Sequence, residues 1–412
     1  VKILHINHSD TQGGAARAAF RIHDSLLAAG ITSRMWVNQS FSGDWTVHSP
    51  QSYWDRFMIR AKSFLGAQVQ KLHTTNNRVL HSSAVFNSRW VSLINNSDFD
   101  VVNLHWVGGE MLSIADIANI KKPLVWTLHD MWPFCGAEHY TKDDRWKAGY
   151  CQSNRPDGDS GFDLDRFVWR QKKRRWNKPI QIIAPSKWLE KSAAESSIMN
   201  KWPIKCVSYP INVDVWQPIE PKLARQILGL PSASPLLLFG AMGGGQDERK
   251  GFDLLLGALA QIRDNSSIKN LEIVVFGERT PKNPPNLGFP VRYIGHLQDE
   301  LSLKVLYSAC DVMIVPSRQD NLPLTAIEAK ACGTPVVAFD VGGLSDIIQH
   351  KATGYLAKAF NIGDLADGIL WVLSNSELIK IGEAARESVV KENAYCKIAQ
   401  EYIEIYNSML AK

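Results

Sequence analysis

Short apolar runs and amphipathic stretches alternate along this chain. Val1–Asn7 is rich in β-formers and ends in a polar, glycine-containing loop, His8–Gly14. Ala15–Ala29 then places Ala16, Ala19, Phe20, His23, Leu26 and Leu27 at helical spacing, and Gly30 is a natural stop. Further strands are predicted at Ser33–Asn38, Asp100–Trp106, Leu124–His129, Ile180–Pro185 and Lys205–Tyr209. Strands that alternate with helical stretches predict parallel sheets covered on both faces.

The texture changes at Tyr209–Pro221, which carries several prolines and no helical period and reads as an inter-domain linker. A second α/β series follows, with strands predicted at Pro235–Ala241, Leu271–Phe276, Val291–Ile294, Asp311–Val315 and Pro335–Phe339. Near the end, Ile398–Leu410 carries Ile398, Tyr402, Ile405 and Met409 on one stripe. The expected division is 1–210, 211–390, and a terminal helix in 391–412 that packs back on the first domain.

Composition narrows the class. The 412 residues suit two domains rather than one core. Hydrophobic residues make up 45% and charged residues 21%, the mix of a water-soluble globular protein. No apolar run is long enough to span a bilayer, and the first residues lack the pattern of a signal peptide. The six cysteines form no Cys-x-x-Cys pair, so neither a zinc ribbon nor a redox dithiol is indicated, and scattered free thiols fit a reducing, cytoplasmic setting. The net charge of +5 is mild, but it clusters in residues 166–178, where seven Lys or Arg interleave with Phe167, Trp169 and Trp176. Two readings of that stretch stand side by side: a helix on an anionic membrane surface, or a solvated helix with core-facing tryptophans. Nucleic-acid binding is a poorer third, with no matching fold signature.

Three segments carry candidate chemistry. Gly13-Gly14, between a strand and a helix, lets backbone N–H groups and the positive helix end approach a phosphate. Met242–Gly251 is a glycine-rich loop delivering Arg249 and Lys250, a planar fork and a point charge suited to a diphosphate. Neither a Walker P-loop nor a dinucleotide fingerprint is met, so a P-loop NTPase and a nicotinamide dehydrogenase are disfavoured. The third segment, Val315–Gly343, runs from strand to polar loop to helix to strand. Asp320 and Asn321 precede the helix, Leu322, Pro323 and Leu324 open it, and Glu328 lies inside it among apolar neighbours. Asp98-x-Asp100 and Asp163-x-Asp165 are short enough to arise by chance, and no metal is assigned.

The Val315–Gly343 segment closely resembles the signature of retaining family-4 glycosyltransferases of GT-B architecture. The resemblance extends to Gly13-Gly14, Lys250-Gly251, Val274–Gly277 and Tyr293–Leu297. It implies two Rossmann-like domains facing across a cleft, with a nucleotide-diphosphate sugar as donor. It further implies that amides at Leu322–Leu324 bind the donor phosphate. Asp320 would hold the donor sugar and Glu328 the ribose, with Asn321, Gly277 and His296 nearby. His129, after a strand of the first domain, matches a family histidine, and His105 is a weaker candidate for the acceptor. Two departures stand out. Asp320 is one methylene shorter than the usual Glu, and Gly244 occupies the place of a phosphate-binding Arg, for which Arg249 is the candidate substitute.

The implied reaction transfers a UDP- or GDP-linked sugar to an acceptor hydroxyl with retention and without a metal, cations and amides neutralising the leaving diphosphate. With the basic stretch, the resemblance points to a lipid-linked glycan acceptor at the inner face of the membrane, as in O-antigen or capsule assembly. A sugar-nucleotide epimerase of the same architecture and a non-catalytic nucleotide-binding subunit are the alternatives.

Overall fold

The computed structural model describes residues 1–240, 247–265, 268, 270–297 and 299–411. Met242–Gln246 of the glycine-rich loop, Gly244 included, lie outside the described residues, as does Ala241. The chain divides into two compact units, Val1–Pro210 with Tyr395–Lys412, and Ile211–Ala394.

Unit 1 is built on strands β1 (Lys2–Ser9), β2 (Thr32–Gln39), β3 (Val47–His48), β4 (His73–Thr74), β5 (Val101–Leu104), β6 (Leu124–Thr127), β7 (Ser160–Gly161), β8 (Gln181–Ala184) and β9 (Ile204–Cys206). Seven of them form a parallel sheet ordered β3-β2-β1-β5-β6-β8-β9, while β4 and β7 pair antiparallel. The central strands are covered on both faces, which is why β5, Val-Val-Asn-Leu, is buried at every position instead of alternating. The register sets His5 opposite Asn103, and Asn103 opposite Val125. Residues just past β5 and β6 are thereby brought to one edge of the sheet.

The last helix, Tyr395–Leu410, belongs to this unit from Tyr395 onward, four residues later than the boundary expected from sequence. Its buried stripe packs on the helix Gly14–Ala28, where the Tyr395 hydroxyl donates to Asp24 (3.0 Å). Farther along, the Tyr406 hydroxyl accepts from Asn103 Nδ2 (2.8 Å).

Unit 2 carries six parallel strands: β10 (Leu236–Gly240), β11 (Glu272–Phe276), β12 (Val291–Gly295), β13 (Val312–Val315), β14 (Val336–Phe339) and β15 (Gly354–Ala357), ordered β12-β11-β10-β13-β14-β15. The last was not anticipated from sequence, being four residues with a single branched aliphatic side chain. The proline-bearing stretch after Tyr209 is not a loose linker. Ile211 donates its N–H to Asn393 O (2.8 Å), Trp216 is fully buried, and Arg386 donates to the carbonyls of Trp216 (2.8 Å), Val213 (3.2 Å) and Ala331 (2.7 Å).

The stretch 166–178 lies within and just after the helix Leu164–Arg175. Its tryptophans face inward. Trp176 is buried, donates Nε1–H to Ile114 O (2.9 Å) and sits edge-on to Trp126, while Trp169 packs under Gly149 and beside Tyr150. Lys172 is fully buried. Its ammonium group donates to the carbonyls of Trp132, Cys135 (3.1 Å) and Gly136 (2.7 Å) and lies 3.9 Å from the centre of the Trp132 ring. The aromatic half of the membrane reading is thereby corrected: these rings are core, and what reaches solvent is a ridge of Arg170, Lys173, Arg174, Arg175 and Lys178.

Candidate functional site

In unit 2 the chemistry gathers at the C-terminal ends of β10 and β13, the edge where open parallel sheets take ligands. After β10, Glu248–Lys250 forms one 3-10 turn closed by Gly251 at φ +65°. A Cβ on Gly251 would stand 1.9 Å from Pro316 O, so only glycine lets this turn lie against the loop after β13. Two more ties hold the segments together. Arg318 N–H donates to Arg249 O (2.7 Å), and the Arg318 guanidinium forks onto both carboxylate oxygens of Asp253. Arg318 was not singled out from sequence, because nothing in its spacing shows that fork.

The outcome is an ion pair between the two segments. Lys250 Nζ donates to Asp320 Oδ2 at 2.7 Å, with Ser317 Oγ at 3.4 Å. The Asp320 backbone is pinned from behind, where Gly343 N–H donates to its carbonyl (3.2 Å) and Gly342, at φ +59°, leaves no room for a Cβ. Helix Leu324–Ala331 then begins with no side-chain cap, leaving N–H groups for an anion. Leu322 and Leu324 are buried, so backbone is what they have to offer. Pro323 is a correction: it has no N–H, and its carbonyl accepts from Ala326 (3.1 Å), so it adds no donor. Glu328 is buried, with Tyr307 donating its hydroxyl to Oε2 at 2.8 Å. Asn321 is likewise buried.

Arg249 turns back on its own loop, donating to Asp247 Oδ2 (2.7 Å), instead of standing beside Lys250 as a ready second cation. Gly277 N–H donates to Gly295 O (2.8 Å), tying the ends of β11 and β12 together, and His296 follows exposed.

In unit 1, Gly13 adopts φ +90°, ψ 167°, a conformation open to glycine almost alone, and caps the helix Gly14–Ala28 without a side-chain hydrogen bond. A Cβ on Gly13 or Gly14 would meet nothing within 4 Å. The two glycines line a cavity of about 200 Å³ with Asn7, His8, Ser9, Gln12 and Trp106. His8 was missed from sequence. Its Nδ1 is buried beside this cavity with no hydrogen-bond partner.

His129 is one member of a buried file. Its Nδ1 lies 2.7 Å from the Tyr209 hydroxyl and its Nε2 3.1 Å from His105 Nδ1, while His105 Nε2 lies 2.8 Å from His5 Nδ1. Burial, partly offset by Asp130, lowers the His129 pKa to about 4, so the ring is neutral near pH 7. Burial also pushes His5 and His105 far down. His105 has both nitrogens engaged and only 2% of its surface exposed, so it stands behind His129 and is not an acceptor contact. Next to the file, Asp130 Oδ2 accepts from Trp106 Nε1 (3.0 Å) and lies 2.6 Å from His139 Nδ1, and His139 Nε2 lies 2.8 Å from Ser82 Oγ. Ser82 is buried, so this line fixes the segment after β6 and presents no nucleophile.

Residues 225–388 match the family Glycosyl transferases group 1. The chain is 37% identical over 106 residues to N-acetyl-alpha-D-glucosaminyl L-malate synthase of Bacillus anthracis, an overlap of 26% of this chain and 28% of that protein. It is 31% identical over 202 residues to D-inositol 3-phosphate glycosyltransferase 2 of Catenulispora acidiphila, 46% of this chain and 47% of that one. The chain thus spans less than half the length of either relative. Among solved structures, sucrose-phosphate synthase from Thermosynechococcus elongatus superposes with a TM-score of 0.66 at 18% identity over 100% of both chains. HepE of Anabaena in complex with UDP-glucose gives 0.67 at 16% identity over 99% of both. At those identities the likeness speaks to fold. Residues 225–388 thus match the model of the glycosyl transferases group 1 family, in a chain whose two Rossmann-like units have the fold of GT-B glycosyltransferases.

Proposed function

We propose that this chain is a retaining glycosyltransferase that moves a sugar from a nucleotide-diphosphate donor to an acceptor hydroxyl, with no metal at the diphosphate. The observation that carries the reading is the Lys250–Asp320 pair beside the uncapped start of helix Leu324–Ala331. A cation, a carboxylate and a helix start without a side-chain cap, brought together from two segments, suit the phosphate and the sugar of such a donor. The amides and Lys250 take the phosphate charge that grows as the glycosidic bond breaks. Asp320, released from Lys250, accepts from sugar hydroxyls, and Glu328, oriented by Tyr307, accepts from the ribose. Gly277 and His296 flank the nucleoside. The Gly13-Gly14 terminus is the chain's second anion-binding element. His129, neutral and partnered on both nitrogens, acts by hydrogen bonding and not as a preformed general base.

For the acceptor we propose a lipid-linked glycan of bacterial surface-polysaccharide assembly. The support comes from a helix the sequence reading passed over, Tyr53–Gln70. Only Gly66 is buried along it, while Tyr53, Trp54, Phe57 and Phe64 are 58–90% exposed beside Arg56 and Arg60. Aromatic and basic residues on one solvent-facing helix suit an anionic lipid surface better than the ridge at 170–178. No helix among the described residues is long and apolar enough to cross a membrane. The relatives' names make malate and inositol 3-phosphate the competing acceptors.

The test is a panel of UDP- and GDP-sugars in EDTA, read by thermal shift and nucleoside-diphosphate release, with lipid-linked glycan, malate and inositol 3-phosphate as acceptors. One donor that stabilises the protein and is cleaved, with both effects lost in Glu328→Ala, supports the reading. Conversion of the donor sugar without acceptor indicates an epimerase, and nucleotide binding with no turnover under any acceptor indicates a binding subunit.

A further inference from the structure

Away from these residues, unit 1 buries a cluster that the proposed reaction does not use. His73, on β4, His81 and Asp165, in the first turn of helix Leu164–Arg175, offer one ligand atom each, all within 4.8 Å of one another. Each histidine is 8% exposed and Asp165 1%. The ring orientations are set by backbone: His73 Nδ1 lies 2.9 Å from Phe162 O and His81 Nδ1 2.8 Å from Val79 O. A carbonyl can only accept, so both Nδ1 atoms carry a proton, and each ring turns its Nε2 toward Asp165. Neither Nε2 has a hydrogen-bond partner.

The separations are informative. His73 Nε2 stands 3.6 Å from Asp165 Oδ2 and His81 Nε2 3.8 Å from Oδ1. Both exceed a hydrogen bond. Ligands of a tetrahedral zinc ion, with bonds of about 2.0–2.1 Å, lie about 3.4 Å apart. Other polar groups pack around the same carboxylate. Arg145 reaches Asp165 Oδ2 (3.3 Å) and Asp143 (2.9 Å), and the carboxyl group of Glu138 lies against Asp165 across Gly136. An opening of about 430 Å³ lined by Gln70, Thr75, Arg78, His73 and His81 gives an entry path and a source of water for a fourth ligand.

We propose that His73, His81 and Asp165 bind a divalent transition-metal ion of the zinc class, which clamps the β4 and His81 segments to helix Leu164–Arg175. The ion is structural. None of its ligands belongs to the donor residues, so metal uptake and sugar transfer are scored separately.

The full chain, stripped with EDTA and desalted, is titrated with ZnCl2 by calorimetry, its metal content is measured by mass spectrometry, and melting is followed with and without zinc. One ion per chain is expected, with a higher Tm. Loss of a supporting contact typically costs 10–100-fold in metal affinity, so His73→Ala and His81→Ala, each losing a ligand, weaken binding by at least about 100-fold. His350→Ala leaves it unchanged. If the histidine variants fail to fold, Co2+ in the wild type decides: intense visible d–d absorption of a tetrahedral nitrogen–oxygen site supports the assignment. No stoichiometric uptake by the stripped wild type, a cobalt spectrum lacking tetrahedral bands, or uptake unaltered in both folded histidine variants overturns it.

Discussion

Lys250→Ala separates two things this side chain does. The first is local. Lys250 and Asp320 pair at 2.7 Å with 34% and 12% of their side chains exposed, and Ser317 Oγ stands off at 3.4 Å from Asp320 Oδ2. An exposed pair contributes about 0.2–1 kcal/mol and breaking a buried one costs about 3–5, so this intermediate pair should cost about 1–2 kcal/mol. For a unit of this size that is a fall in Tm of roughly 2–8 °C. The second is functional. A charge-assisted hydrogen bond to the leaving diphosphate contributes about 1.5–3 kcal/mol, so kcat/KM should fall about 10- to 150-fold. Asp320→Asn distinguishes the roles. It releases Lys250, so nucleoside diphosphate should bind as well as before or tighter, while sugar transfer falls. The assay is donor turnover and nucleoside-diphosphate binding on folded protein. If Lys250→Ala lost stability but kept both diphosphate affinity and turnover, the pair would be a structural latch and the donor site would lie elsewhere. If Asp320→Asn weakened diphosphate binding as much as Lys250→Ala, the division of labour between phosphate and sugar would be wrong.

Other outcomes follow from the same geometry. Gly13→Ala forces a Cβ into φ +90°, ψ 167° with nothing to clash against, so it should cost about 1–3 kcal/mol of backbone strain in a urea melt, with no change in packing. His129 has a folded pKa of about 4 against an ordinary 6.5, so the native state holds fewer protons than the unfolded one between those values. Its contribution to stability is complete above pH 6.5 and lost as pH falls toward 4, by about 3 kcal/mol, and His129→Asn should flatten that part of the stability–pH curve. Lys172→Met strands the carbonyls of Trp132, Cys135 and Gly136 and should destabilise the protein by about 3 kcal/mol or more in chemical denaturation, although the lysine sits in a stretch that looks solvent-facing. Trp54→Ala with Phe57→Ala should release the protein from anionic liposomes in a sedimentation assay while leaving its Tm nearly unchanged, because both rings are exposed.

The sequence by itself determined the alternation of strands and helices, and with it two parallel sheets. That information is local, because a buried parallel strand must be apolar throughout and a covering helix must be apolar on one stripe. It also determined the Gly13-Gly14 turn and the course of Val315–Gly343 from strand to loop to helix, since glycine placement and helix starts are written within a few residues. The tertiary structure decided everything that depends on which strand neighbours which. His5, His105 and His129 form one file because β1, β5 and β6 are adjacent and in register, an order no spacing along the chain reveals. The same holds for His73, His81 and Asp165, and for Arg318 forking onto Asp253. The basic stretch shows the limit most clearly. Its composition permits a membrane face or a core face equally, and burial of Trp176 and Lys172 against the tryptophan-rich core chose the second, where the indole N–H meets Ile114 O and the ammonium group meets three carbonyls. Arg249 was undecided for the same reason: spacing along the chain places a cation but does not name its partner, and here that partner is Asp247.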